Sequence, residues 1–452
     1  MNPDRSTLTA LYLGEAARHG VRPEELTGLL TRMPMIDAFW RGRYLPRPLF
    51  LGAAERDRLH ADVENLRAVL TSLPDRLFDG DLAAFGRAVG ATDRQIAAVL
   101  RGGPGQVTSQ TRADLYLDES GFKLLEVNHG SPAAGIDTPD FCRAMLAHPV
   151  LARFAAEHRL GFPDTMRAHV ATILAETGFA AGSQPVLAIA TASSMYQRLG
   201  PYLDLLAPRW RELGLDAVAC DVADLRASGG RVWLNGRAVD IVFRLFMIEH
   251  VPETSAGTPF DPVLEAAARG EVQIYTSLDG ELLASKMALA MLSDDRNRHL
   301  FAPAELAAID RIVPWTRAVR PGPVTLPDGS AGELMDYAVS HADDLVLKPA
   351  MLHGGEGVLV GWQPGLTERE WRDRITAAAG RPFVLQRRVR PVPEPMHRDD
   401  GELVPWDVAW GVCTLLGEHG GILTRGLPHT PDVNVINFAL GAVGGSALTV
   451  QD

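Results

Sequence analysis

Apolar and polar positions change period several times along the chain, and each change marks a different kind of element. Up to about residue 110 the spacing is helical. Leu59, Val63, Leu66 and Leu70 recur every three or four residues with charges between them, which predicts an amphipathic helix ending at Pro74. Around residues 111–128 the period drops to two on either side of Asp118-Glu119-Ser120-Gly121, which predicts two antiparallel strands. Helical spacing resumes to about Gly178. From Pro185, apolar runs at 186–190, 216–220 and 241–246 alternate with helical stretches, the rhythm of a small parallel sheet. Beyond residue 281, predicted helices at 282–292 and 367–379 mix with strands at 345–348, 358–361, 383–386, 406–416 and 422–427. Proline-rich 391–395 and 320–323 read as loops, and Gly102-Gly103-Pro104-Gly105 as a linker. The fold class is α/β, with α and β elements mixed.

The hairpin carries the most specific constellation. A three-residue loop, Glu119-Ser120-Gly121, with glycine in the left-handed position, sets opposed residues to sum to 240. Asp114 then faces Glu126, Arg112 faces Asn128, and Tyr116 faces Leu124, while Lys123 points to the other side. Facing carboxylates with β-carbons about 5 Å apart repel. A shared divalent cation removes the repulsion, and magnesium suits it because it takes hard oxygen ligands together with substrate phosphates. Asn128 adds a neutral oxygen and Arg112 a fixed cation. A surface hairpin with a polar outer face fits the same spacing, and a one-residue slip would scatter the group.

Composition narrows the chemistry. Of 44 basic residues only Lys123, Lys286 and Lys348 are lysine; Lys286 and Lys348 are candidate point charges for a phosphate, and Lys123 reads as solvated. Lys348 ends the apolar run 345–348, and Gly354, Gly355 and Gly357 follow in a turn whose N–H groups can approach phosphate oxygens. The motif is neither a Walker loop nor a dinucleotide fingerprint, and a plain glycine hairpin is its other reading. Lys286 lies in an apolar helical pattern, facing an anionic ligand or snorkelling at a helix edge.

At 452 residues the chain has room for two to four domains, with the 46% apolar and 22% charged content of a globular protein. A net charge of −12 argues against a nucleic-acid binder. Cys142, Cys220 and Cys413 are scattered and odd in number, which fits a reducing cytoplasm better than a disulfide framework or a zinc site. Neither a signal peptide nor a membrane span is expected.

Together these residues resemble the circularly permuted ATP-grasp ligases of the glutathionylspermidine-synthase-like branch, from about Arg112 to the C-terminus. Arg112-x-Asp114, eleven residues, then Glu126-x-Asn128 is similar to that family's magnesium segment. Asp294, Pro314-Trp315-Thr316-Arg317, the Lys348 strand with its glycine loop, and Phe383-Val384-Leu385-Gln386 follow in the family's order. A strand ending in Arg244 is loosely similar to another family segment. The resemblance implies an ATP-grasp fold with a helical N-terminal region (1–110), a metal-binding hairpin with helices (111–180), a pre-ATP-grasp α/β domain (181–280) and a nucleotide-binding region (281–452). It implies that Asp114, Glu126 and Asn128 hold Mg2+, and that Lys286, Lys348, Gly354, Gly355, Gly357 and Gln386 bind ATP. Residues 384–389 would form the adenine-side hinge, and Arg425 would belong to a loop that closes over the phosphates. Arg112 and Arg425 would act in catalysis.

The chain departs from the family at His129-Gly130, where Ala-Asp is usual, and at Arg387-Arg388, where a glutamate is expected. No amidase domain is expected, because the 110 or so residues ahead of the hairpin are too few and read as helices, so glutathione and spermidine are not implied. The expected function is an ATP-dependent carboxylate–amine ligase working through an acyl phosphate on small molecules, an amino acid or peptide among them. A non-catalytic ATP-binding protein with a regulatory or docking role is the alternative. His129 is a candidate base by position.

Overall fold

The protein is described from a computed structural model over residues 3–103, 108–131, 135–251, 257–398, 400–430, 435–438 and 440–451. Pro104 and Gly105 of the expected linker lie outside these residues. Three sheets organise the chain. The largest runs in the order Leu49–Leu51, Val443–Val450, Glu418–Pro428, Leu403–Leu415, Thr111–Asp118, Gly121–His129, with Glu394–His397 and Leu160–Gly161 at its margins.

Its central strand shows why one face packs and the other is left open. Val408, Trp410 and Val412 alternate onto the core face, in one apolar cluster with Leu59, Val63, Leu66 and Leu70 of the helix Ala53–Phe78. Ala409, Gly411 and Cys413 fall on the opposite face. Small residues there leave space above the sheet.

The second sheet is wholly parallel, ordered Gln273–Tyr275, Ile241–Arg244, Val186–Thr191, Asp216–Asp221. The helix Ser193–Glu212 covers it and buries Trp210 completely. The third is a four-stranded antiparallel sheet, Thr316–Ala318, Phe383–Arg387, Leu345–Pro349, Leu359–Val360. The helix Glu368–Ala378, opened by a Thr367/Glu370 capping box, packs Trp371 and Ile375 on Leu345, Leu347 and Leu385.

Four expectations differ from the structure. The helix Ala53–Phe78 runs through Pro74, whose missing N–H and ring are tolerated near its end. The expected helix 282–292 is two, Asp279–Leu283 and Lys286–Ser293, because Ser285 breaks out to cap the second and accepts the Met287 N–H at 3.2 Å. Lys286 therefore opens a helix instead of sitting inside one. The helical first 110 residues include the strand Leu49–Leu51, which pairs in parallel with Val443–Val450, a strand the glycine-rich tail did not announce. The proline-rich stretch 391–395 runs into the edge strand Glu394–His397. Among the described residues no helix is long and apolar enough to cross a membrane.

Candidate functional site

Arg112 pairs with Asn128 and Asp114 with Glu126, as the period-two pattern predicts. Nearer the turn the register differs. Gly121 pairs with Asp118, so the loop has two residues, and the extra residue becomes a bulge at Leu125. Tyr116 consequently opposes Lys123, not Leu124, and Lys123 donates to the Arg311 carbonyl. The bulge matters: the Leu125 carbonyl accepts a hydrogen bond from Lys348 Nζ at 3.1 Å.

The opposed carboxylates are made compatible by side-chain cations, one set for each. Arg112 grips Asp114 through two N–H groups, Nε to Oδ1 at 2.8 Å and Nη2 to Oδ2 at 3.1 Å. Arg425 Nη2 reaches Oδ2 at 2.9 Å, and the Asn128 amide donates to the same oxygen at 3.1 Å. Burial alone would push the Asp114 carboxyl up, but the two guanidiniums outweigh it and hold the group far below the usual carboxylate range. Arg425 stands on the strand Glu418–Pro428, not on a closing loop. Glu126 pairs with Lys286 at 3.1 Å, and the lysine also donates to the Leu352 carbonyl at 2.8 Å. Burial raises the Glu126 carboxyl, and the Lys286 charge brings it below its ordinary value.

Lys348 is buried above this floor. Gln386 Oε1 accepts from its ammonium at 2.6 Å, and Gln386 Nε2 donates to Thr316 Oγ1 at 3.2 Å. Gln386 thus orients the lysine. Desolvation lowers Lys348 to about 8, against the opposing pull of Glu126. Four cations (Arg112, Arg425, Lys286 and Lys348) meet two carboxylates here, an excess suited to a polyphosphate.

Of these groups, Asp114, Glu126, Lys286, Lys348, Gln386 and Arg425 line a cleft between the large sheet and the four-stranded one. Gly354 and Gly355 form its rim; with Gly357 they have φ of 64°, 81° and 70°, a left-handed run. Asn437 holds the turn by donating to the Gly354 carbonyl at 2.8 Å. Gln386, Arg387, Arg388 and Val389 close the far end, where Arg388 lies 3.7 Å over the Trp362 ring.

Magnesium fits part of the expected ligand set. Glu126 faces the cleft with one oxygen paired, and Asn128 uses its amide N–H groups on Asp114 and the Arg112 carbonyl, which leaves its oxygen as an acceptor. Asp114 already takes four donors, three at Oδ2 and one at Oδ1, so any place for a metal on it is at Oδ1. Among the described residues no three His, Cys, Asp or Glu side chains gather as a metal cluster.

A second cavity of about 270 Å3 opens on the other side of the arginines, between the parallel sheet and the N-terminal helices. Arg425 is the one described residue that lines both spaces. Sequence reasoning missed this cavity, together with Gly411, Asn437 and Asp137. The alternation Val408-Ala-Trp-Gly-Val-Cys413, large against small, was a signal for the small-residue sheet face at Ala409 and Gly411, but not for the second cavity. His129 lines neither cavity; it is 3% exposed, with neither ring nitrogen bonded, and burial lowers it to about 3. It is a core residue.

No family model and no curated protein matches the sequence. Among solved structures, a glutathione synthetase-like effector (GSS30) from Globodera pallida superimposes with a TM-score of 0.53 at 13% identity, covering 89% of each chain. A putative gamma-glutamylcysteine synthetase from Methylobacillus flagellatus KT gives 0.44 at 12% identity, covering 87% of this chain and 88% of that one. The first likeness shows the fold: this chain is a mixed α/β protein with the overall fold of that glutathione synthetase-like effector.

Proposed function

We propose that the protein is an ATP-dependent carboxylate–amine ligase, of the circularly permuted, glutathionylspermidine-synthase-like kind, that forms an amide or peptide bond through an acyl phosphate. The observation that carries this reading is the place of Arg425, paired with Asp114 and bordering both cavities. A phosphoryl group leaving a nucleotide in the first cavity for a carboxylate in the second would pass this guanidinium.

In this reading a carboxylate oxygen attacks the γ-phosphorus and the bond to the β,γ-bridging oxygen breaks, releasing ADP. The amine then attacks the acyl carbon, phosphate leaves, and the amine proton passes to solvent. The chain supplies position and charge, not covalent chemistry. Lys286 and Lys348 offset charge on the β- and γ-phosphates, and Arg112 and Arg425 offset it on the transferring group. The glycine turn, tied by Asn437, excludes water from the acyl phosphate. Magnesium, when bound on Asp114, Glu126 and Asn128, would supply further charge neutralisation at the phosphates.

The test is release of ADP and phosphate across a panel of acids and amines. Equimolar ADP, phosphate and amide are expected. Arg425→Gln should lower turnover by about 10²–10³ with ATP binding kept within a few fold. Binding of ATP with no turnover for any pair would instead support a non-catalytic nucleotide-binding role.

A further inference from the structure

We infer that the second cavity selects an α-amino acid with a large apolar side chain as the acid substrate, its carboxylate toward Arg112 and Arg425 and its ammonium against Asp137. This rests on the ligase reading and names the substrate class of that site.

The walls supply the first reason. Phe39, Tyr202, Leu203, Phe243 and Phe438 give the cavity a largely apolar lining. At about 270 Å3 it lies just below the span of ligand pockets, about 300–1,000 Å3. One amino-acid-sized molecule suits it, and an acidic or polyhydroxylated side chain would lose its hydration there.

The polar groups supply the second. Arg112 and Arg425 are the only cationic lining residues outside the histidine class, and Arg425 Nε has no hydrogen-bond partner. Asp137 lies near enough to Arg112 to feel its charge. Its carboxylate is 6% exposed and accepts one long hydrogen bond, from Trp40 Nε1 at 3.4 Å. Among the described residues no cation pairs with it. Burial raises its carboxyl to about 6, the sign of a buried anion lacking a counter-ion. A cation pair and a lone carboxylate in the wall of an apolar chamber match the two charges of an α-amino acid.

His169 is the third. It is 1% exposed, packs among Trp210, Phe243 and Tyr275, and neither of its nitrogens is bonded. A buried polar ring with no partner, bordering ligand-sized space, points to an occupant that belongs there.

Calorimetric binding to the full chain, with and without AMP-PNP, tests this with L-phenylalanine, L-leucine, glycine, L-glutamate and 3-phenylpropanoate. Phenylalanine and leucine should bind at least about tenfold tighter than the other three, the margin expected from one charge-assisted pair or from side-chain burial. Asp137→Asn should weaken phenylalanine by about tenfold or more and leave 3-phenylpropanoate unchanged. Asp137 caps no helix through its side chain, so this variant keeps the fold. Leu199→Trp, on the half-buried rim, should fill the cavity and abolish phenylalanine binding with AMP-PNP binding unaltered. Equal binding of glycine or glutamate, no binding of phenylalanine, or a Leu199→Trp protein that binds it normally overturns the inference. Phenylalanine that binds the cavity yet drives no ADP release leaves the subsite standing and removes the ligase reading. ADP release driven by other acids and untouched by Leu199→Trp does the reverse.

Discussion

Arg425 reaches Asp114 at 2.9 Å across the strand that lies between them, over the small residues Ala409 and Gly411. One buried carboxylate thereby holds two guanidiniums, Arg112 facing one cavity and Arg425 bordering both. Replacing it leaves two buried cations facing each other. Asp114→Asn should lower unfolding free energy by about 3–5 kcal/mol, the usual cost of breaking a buried pair. It should also reduce turnover by about 10²–10³. Urea unfolding and ADP release read the two effects, and wild-type values for both would mean that Asp114 does not organise the site.

Gly411 makes the crossing possible. A β-carbon there would lie 2.9 Å from Arg112 Cδ, 3.0 Å from the Leu423 carbonyl and 3.1 Å from Asp114 Oδ1. Gly411→Ala should displace Arg112 and cost about 1–3 kcal/mol by overpacking. ATP affinity should survive while turnover falls, because the nucleotide lysines lie elsewhere. A variant with full activity would show that Arg112 need not lie where it does.

Lys348 predicts a pH dependence of nucleotide binding. Burial holds it at about 8 against an ordinary 10.5, so its contribution to folding stability is present above 10.5 and lost as pH falls through 8. A bound polyphosphate favours the charged ammonium and returns the group toward its ordinary value. ATP binding should therefore take up a proton between these limits and weaken as pH rises, by up to about tenfold per unit. Calorimetry at pH 8.5 in buffers of different ionisation enthalpy measures the uptake. Lys348→Arg, charged throughout, should show none.

The Arg244–Glu281 pair anchors the segment that delivers Lys286. Both side chains are at most 2% exposed, and Glu281 also accepts the Ile248 N–H at 2.7 Å. Arg244→Met should cost about 3–5 kcal/mol by stranding Glu281, and adding Glu281→Met should recover part of it. Thermal unfolding of the two proteins decides; a single variant as stable as wild type would mean that the pair is not needed.

The hairpin was legible because a strand pattern of period two fixes which side chains meet. The error in the turn cancelled: a two-residue loop plus a one-residue bulge reaches the same pairing at Asp114 and Glu126 as a three-residue loop. The bulge itself left no mark in the sequence, since Leu125 is an ordinary strand residue. Lys286 was placed inside a helix because apolar spacing ignores the competing cap that Ser285 offers. Asp137, Asn437 and the second cavity were out of reach for another reason. They are assembled from segments near residues 40, 137, 200, 243 and 425–438, and no local period encodes contacts of that range. The expectation of a metal between the carboxylates rested on pair repulsion and on the resemblance of the segment, and Arg112 and Arg425 on Asp114 with Lys286 on Glu126 relieve that repulsion as well.

Hydroxylamine trapping tests the central claim most directly. With ATP, magnesium and hydroxylamine as the amine, each of the twenty amino acids is offered in turn as the acid. Hydroxamate and ADP should appear in equal amounts with at least one of them, phenylalanine or leucine first, and Arg425→Gln should remove both products. ATP that binds while no acid yields hydroxamate, or ADP above the acid-free rate, would contradict the account.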